Sequence, residues 1–267
     1  MPSIEFFLLL FFIGAATGSV ASVIKIAPAL IAIPALYFFL PVFDLSFQIL
    51  MLPVIATCIA AFVPTHLYAW ILSMKLAKVD SQQLIHFAPG VAMGGVIGAQ
   101  LLSFSGVLIF KVFFLVLSLV AIKTIVFTND IEKNQTNKFV TPWKLPIGLV
   151  LGIISLLGGN CGRVVAELLC RKVGVIKTQQ QGTVEGLVVF TSIAAVIGFI
   201  YPAQSFDNMG EAGFAGAVHL PSMIILAISH FLFFHLCRNR GNELDRRVLK
   251  ISFAIFLLLS VGRFWLS

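Results

Sequence analysis

Long apolar stretches alternate along the chain with short polar runs that hold nearly all of its charge. A helix needs about 20 apolar residues to cross a ~30 Å hydrocarbon core. Residues 45–72, 84–104, 107–127, 183–200, 217–236 and 249–266 meet that requirement, allowing for tilt and ragged ends. Two further apolar regions do not. Residues 6–40 are too long for one span and are interrupted near Lys25 and Pro28, while residues 145–170 are interrupted by Gly158-Gly159-Asn160-Cys161-Gly162-Arg163. Each reads as a hairpin of two half-helices meeting at a broken tip.

These two regions resemble each other. With Gly14 placed on Gly148, Ile13-Gly14-x-x-x-Gly18 falls on Ile147-Gly148-x-x-x-Gly152, and the break at Lys25 falls on the break at Gly159. Small-xxx-small spacing is common where membrane helices pack closely, so the order of elements carries more weight: a hairpin, a polar stretch, then three long spans, twice. The pattern predicts an all-α polytopic membrane protein of two repeats, residues 1–127 and 142–267, joined by the hydrophilic linker 128–141.

Charge placement tests that plan. If each hairpin enters and leaves on one side, each repeat crosses three times and the repeats are inverted. One side then holds Lys75, Lys78, Lys123, Lys133, Lys138, Lys144, Arg171, Lys172, Lys177, Arg238, Arg240, Arg246, Arg247 and Lys250. The other holds Lys111 and Arg263, with the acidic Asp44, Asp207 and Glu211. By the positive-inside rule the first side, with the linker, is cytoplasmic and both termini are external. Full crossings of the odd regions would scatter the basic segments over both sides.

Composition agrees: 59% of residues are hydrophobic, 11% are charged and mean hydropathy is +1.04, against about 25% charged in soluble domains. This excludes a soluble globular protein. The net charge of +7 comes in short runs between apolar stretches, which excludes a nucleic-acid surface. Glu5, with no Lys or Arg, precedes the first apolar run and argues against a cleaved signal peptide. The four cysteines lack metal or redox spacing and read as inert thiols. His66, His230 and His235 read as interhelical hydrogen-bonding groups. The sequon at Asn134 falls in the segment read as cytoplasmic. No metal, cofactor or catalytic motif is present, so an enzyme is not expected. Monomer and homodimer both stay open.

Two basic residues remain, Lys25 and Arg163, one at each broken tip. A cation within a bilayer costs at least about 2.5 kcal/mol and survives by pairing or by lining a watery cavity. Half-helix N-termini at the interface of inverted repeats face anionic substrate groups in other transporters. We therefore expect an anion site built from Lys25, Arg163 and the tip Gly158, Gly159, Asn160, Cys161 and Gly162, with hydrogen bonds from Ser22, Gln181 and Thr183. The structural alternative is a simple helix break, with Arg163 paired to Glu167 one turn on. Glu185 and Glu167 are candidate proton carriers, with a helix cap the structural alternative for Glu185.

The Gly148-x-x-x-Gly152 pair, the tip Leu157-Gly158-Gly159-Asn160-Cys161-Gly162 and Gln181-Gly182-Thr183 together resemble the sulfite exporter TauE/SafE family over nearly the whole chain. The resemblance implies a bacterial inner-membrane secondary transporter for anionic sulfur compounds such as sulfite, sulfonates or sulfoacetate. The first repeat departs from the family pattern, because Ser22 to Pro28 keeps only the proline of the usual Gly cluster, and in the second repeat Arg163 follows the glycines. Moving a unit charge across the membrane is worth about 2.3 kcal/mol per 100 mV, so anion export runs with a negative-inside field. Export is the leading expectation, ahead of proton- or Na⁺-coupled uptake and of a non-transporting membrane scaffold or assembly factor.

Overall fold

The computed structural model describes residues 4–126, 143–202, 213–238 and 246–266. The linker 128–141, Asp207, Glu211 and Arg240 lie outside the described residues. Helix α1, Ile4–Ile24, ends where Lys25 adopts φ 56°, its N–H still bonding to Ala21 O at 3.0 Å. Pro28 cannot donate a backbone hydrogen bond, and it opens α2, Ala29–Phe39, as its carbonyl accepts from the N–H groups of Ile31 and Ala32. A 3₁₀ turn, Leu40–Phe43, follows. The rings of Phe6 and Phe43 meet edge to face at 5.4 Å, so this hairpin begins and ends at one side. Then come α3, Phe47–Lys75; α4, Ser81–Phe104, with its Gln83 N–H donating to the Asp80 carboxylate; and α5, Val107–Val126.

The second half runs α6, Lys144–Leu157; a glycine-bearing break; α7, Arg163–Val173; and α8, Lys177–Ile200. A two-residue hairpin, β1 Phe214–Ala215 with β2 Val218–His219, leads to α9, Leu220–Arg238, and α10, Arg246–Leu266, follows. Among the described residues seven helices are long and apolar enough to cross a membrane, as an all-α polytopic protein requires.

Two expectations change. The first limb of the first hairpin is no half-helix: α1 has 21 residues and rises about 31 Å. Gly14 and Gly18 do not break it, because both are used for packing. The span expected from residue 217 starts at Leu220, because Gly216, at φ 62°, turns the chain into the β-hairpin and the Ala217 N–H bonds to Phe199 O at 2.8 Å.

Small residues decide how the helices meet. A Cβ on Gly18 would stand 2.3 Å from His230 O, and one on Gly14 would overlap Ser229, so α1 lies backbone-close against α9. The aligned glycines do the same for α6: a Cβ on Gly152 would stand 2.7 Å from Val91 O on α4, and Gly90 and Gly94 of α4 meet Leu145 O and Leu149 O in return. The other packing partners correspond as well. Helix α3 touches α9 as α8 touches α4, α2 touches α3 as α7 touches α8, and α3 meets α8 at the centre.

Gly94→Val should therefore force α4 from α6 and cost about 1–3 kcal/mol or more, read as a lower thermal midpoint in detergent. Gly262→Ala, where nothing lies within 4 Å of an added Cβ, should be neutral or stabilising by up to about 1 kcal/mol.

Candidate functional site

Where the tip of the first hairpin approaches α7 and the start of α8, they enclose a cavity of about 290 Å³. Its wall carries Lys25, Arg163, Arg171, Lys177 and Lys250, and Glu167 is the only carboxylate in it among the described residues. Lys25 reaches it because the left-handed turn leaves its side chain exposed at the break, where Nζ donates to Gln181 Oε1 on α8. Gly159, the position aligned with Lys25, also has a left-handed φ, 65°. The second tip thus uses glycine where the first accepts the strain of a side chain, about 1–2 kcal/mol for an L-residue.

Arg163 is the first residue of α7 and only 6% exposed. Its Nη1 donates to Glu185 Oε1 at 2.5 Å, and the other oxygen of Glu185 lies 2.9 Å from His66 Nδ1 on α3. Three elements, α3, α7 and α8, are therefore tied by one buried carboxylate. The Arg163–Glu167 pair of the structural alternative is not formed: Glu167 accepts from Arg171, one turn further on. Coulomb attraction strengthens as water is excluded. Accordingly, the buried guanidinium is matched by the buried Glu185, at 5% side-chain exposure, rather than by Glu167, at 32%.

Several expected site residues stand elsewhere. Gln181 and Glu167 line the cavity with Lys25 and Arg163. Ser22 does not; its hydroxyl donates to Ser19 O at 2.7 Å. Thr183 is fully buried, donating to Gln179 O at 2.8 Å and accepting from the Asp80 N–H at 2.9 Å, so it fastens α8 to the α3–α4 turn. Gly158 packs on Leu117, and Gly159 on Ile33 and Phe110, apolar contacts that turn this backbone away from the cavity. Gly162, at φ 87°, makes the last turn before α7, near Ser155 and Thr191. Asn160 and Cys161 are each 1% exposed and do not line the cavity. Glu185 stands behind Arg163 as its counter-ion.

Arg171, Lys177 and Lys250 read in the sequence as loop and helix-end charges, whereas all three line the cavity. The Glu167–Arg171 spacing of four was the available sign for Arg171. The histidines do bond between helices: His66 to Glu185, and His230 Nδ1 with Thr17 Oγ1 at 2.9 Å. Among the described residues no three His, Cys, Asp or Glu side chains converge as a metal would need. Chemically, the arrangement can hold a small anion by charge and hydrogen bonding, and it offers no nucleophile poised against a base.

A family model described as sulfite exporter TauE/SafE matches residues 10–264. A probable membrane transporter protein of Haemophilus influenzae is 25% identical over 259 residues, covering 95% of this chain and 96% of the relative. No solved structure matches. With an apolar, polytopic helical body and a match over nearly its full length, the chain belongs to the sulfite exporter TauE/SafE family and is a membrane transporter.

Proposed function

We propose that this transporter exports a small oxidised-sulfur anion of the sulfite, sulfonate or sulfoacetate class by alternating access. The observation that carries the reading is the cavity wall, where, among the described residues, five cationic side chains face a single carboxylate. At about 290 Å³ the cavity sits just below the usual 300–1,000 Å³ of drug-sized ligand sites, which suits an anion of a few heavy atoms. Arg163, the most buried of the five, is the inner contact, with Lys25 and the Gln181 amide beside it. Arg171, Lys177 and Lys250 raise the local anion concentration through their summed field.

The paired contacts of the helices, and the shared left-handed turn at Lys25 and Gly159, support two inverted repeats, residues 1–127 and 142–267, with the site at their interface. The basic wall opens toward the segments read as cytoplasmic, in keeping with the inner bacterial membrane and external termini. From that side an anion leaves with the field and needs no coupling ion. Glu185 then serves to hold Arg163 in place between substrates.

Three outcomes test this. Purified protein in proteoliposomes should carry ³⁵S-sulfite, and absence of flux for every sulfur oxyanion offered would overturn the reading. Arg163→Gln alone strands Glu185 and should destabilise the fold by about 3–5 kcal/mol. The Arg163→Gln/Glu185→Gln double variant should instead fold and bind sulfite at least about tenfold more weakly, a loss of ~1.4 kcal/mol. Wild-type affinity in that variant would remove Arg163 from the site. Lys25→Gly should raise the thermal midpoint, by relieving about 1 kcal/mol of backbone strain, and yet weaken sulfite binding severalfold. A lower midpoint with unchanged affinity would assign Lys25 to structure.

A further inference from the structure

A second cavity, of about 630 Å³, lies at the other end of the first hairpin and is walled mostly by apolar side chains such as Phe6, Leu36 and Pro53. Helix α2 connects the two cavities. Leu30, near its start, lines the basic cavity, whereas Leu36, followed by Leu40 of the 3₁₀ turn, lines the apolar one. Ile33, fully buried between them, belongs to the septum. The tip of the second hairpin lies against this point, because a Cβ on Gly159 would stand 2.8 Å from Ile33 Cδ1.

Asn160 is the next residue. Its side chain is buried, and among the described residues neither Nδ2 nor Oδ1 has a hydrogen-bond partner. Buried polar side chains are paired in the large majority of cases, so an amide orphaned at both atoms needs an explanation. The turn itself does not supply one. The Asn160 backbone N–H already bonds to Ser155 O at 2.9 Å, and the left-handed positions of the tip are taken by Gly159 and Gly162. The amide is thus a buried donor one residue along from the glycine that touches the septum, with no partner among the described residues.

We propose that Asn160 is a transit subsite: as the septum parts, its Nδ2 hydrogens bond the oxyanion passing from Arg163 and Lys25 toward the apolar cavity. A neutral donor suits that position. Conduction requires binding favourable enough to draw the ion in and weak enough to release it, and a third cation in the barrier would retain the anion. This inference rests on the anion-transport reading above.

The test is ³⁵S-sulfite efflux from proteoliposomes holding the full-length protein. Asn160→Ala should lower the maximal rate at least about tenfold while KM stays within about twofold. Its thermal midpoint should hold or rise, since a buried unpaired polar group is removed. Asn160→Ser, which keeps a donor, should recover part of the rate. An Asn160→Ala rate equal to wild type overturns the transit subsite and leaves the proposed function standing. A fall in rate that tracks a fall in folded protein, with no recovery in Asn160→Ser, makes the residue a packing element and also overturns it. Absence of flux in the wild type removes both readings.

Discussion

The Arg163–Glu185 pair, backed by His66, is the interaction on which the arrangement of the centre depends. Two charges taken from water cost several kcal/mol each, recovered only by close geometry and full hydrogen bonding. Here one carboxylate meets a guanidinium on α7 and an imidazole on α3 while standing on α8. Those helices therefore have a common point that lipid cannot replace. The pair also stands where the second limb of the second hairpin begins: Arg163 opens α7 at the point where the chain leaves the glycine tip. Its position in the wall of the basic cavity follows from its partner, not from its own exposure.

Close backbone approach does the complementary work. Glycines on α1 and α6 bring those helices close against α9 and α4, backbone to backbone at Gly18 and Gly152. Each hairpin's first limb is held along its length by a long helix, so the broken tip at its end is placed with precision. Unpaired backbone at such a tip is tolerable only inside protein or beside water. The two tips satisfy this differently. The first exposes Lys25 to the cavity; the second buries its glycines on Ile33, Phe110 and Leu117.

That difference makes the tips unequal in structure although they align in sequence. Gly159 takes its left-handed turn at little steric cost, and Lys25 takes the same turn with a side chain that costs stability and contributes charge. Strain retained at one of two matching positions is what a binding role would produce. The second tip contributes its cation only after the turn is complete, at Arg163, and keeps an unpaired amide within the turn, at Asn160.

Hydrophobic run length is enough to locate six spans and both helix breaks, because crossing a bilayer demands about 20 apolar residues and few sequences supply them by accident. The alignment of Gly14 with Gly148 and of Lys25 with Gly159 was legible too, since glycine spacing and break position are local properties. Local signals misled where a partner was remote. Spacing alone pairs Arg163 with Glu167, but Glu185 comes to it from another helix. Thr183 reads as a substrate ligand until Asp80 is brought beside it from 103 residues away. The sequence by itself determined a polytopic helical membrane protein with two cations at two broken tips. Only the tertiary structure decided which cation is buried, which carboxylate holds it, which glycines face apolar walls and which loop charges turn inward, because each of those depends on distances between helices far apart in the chain.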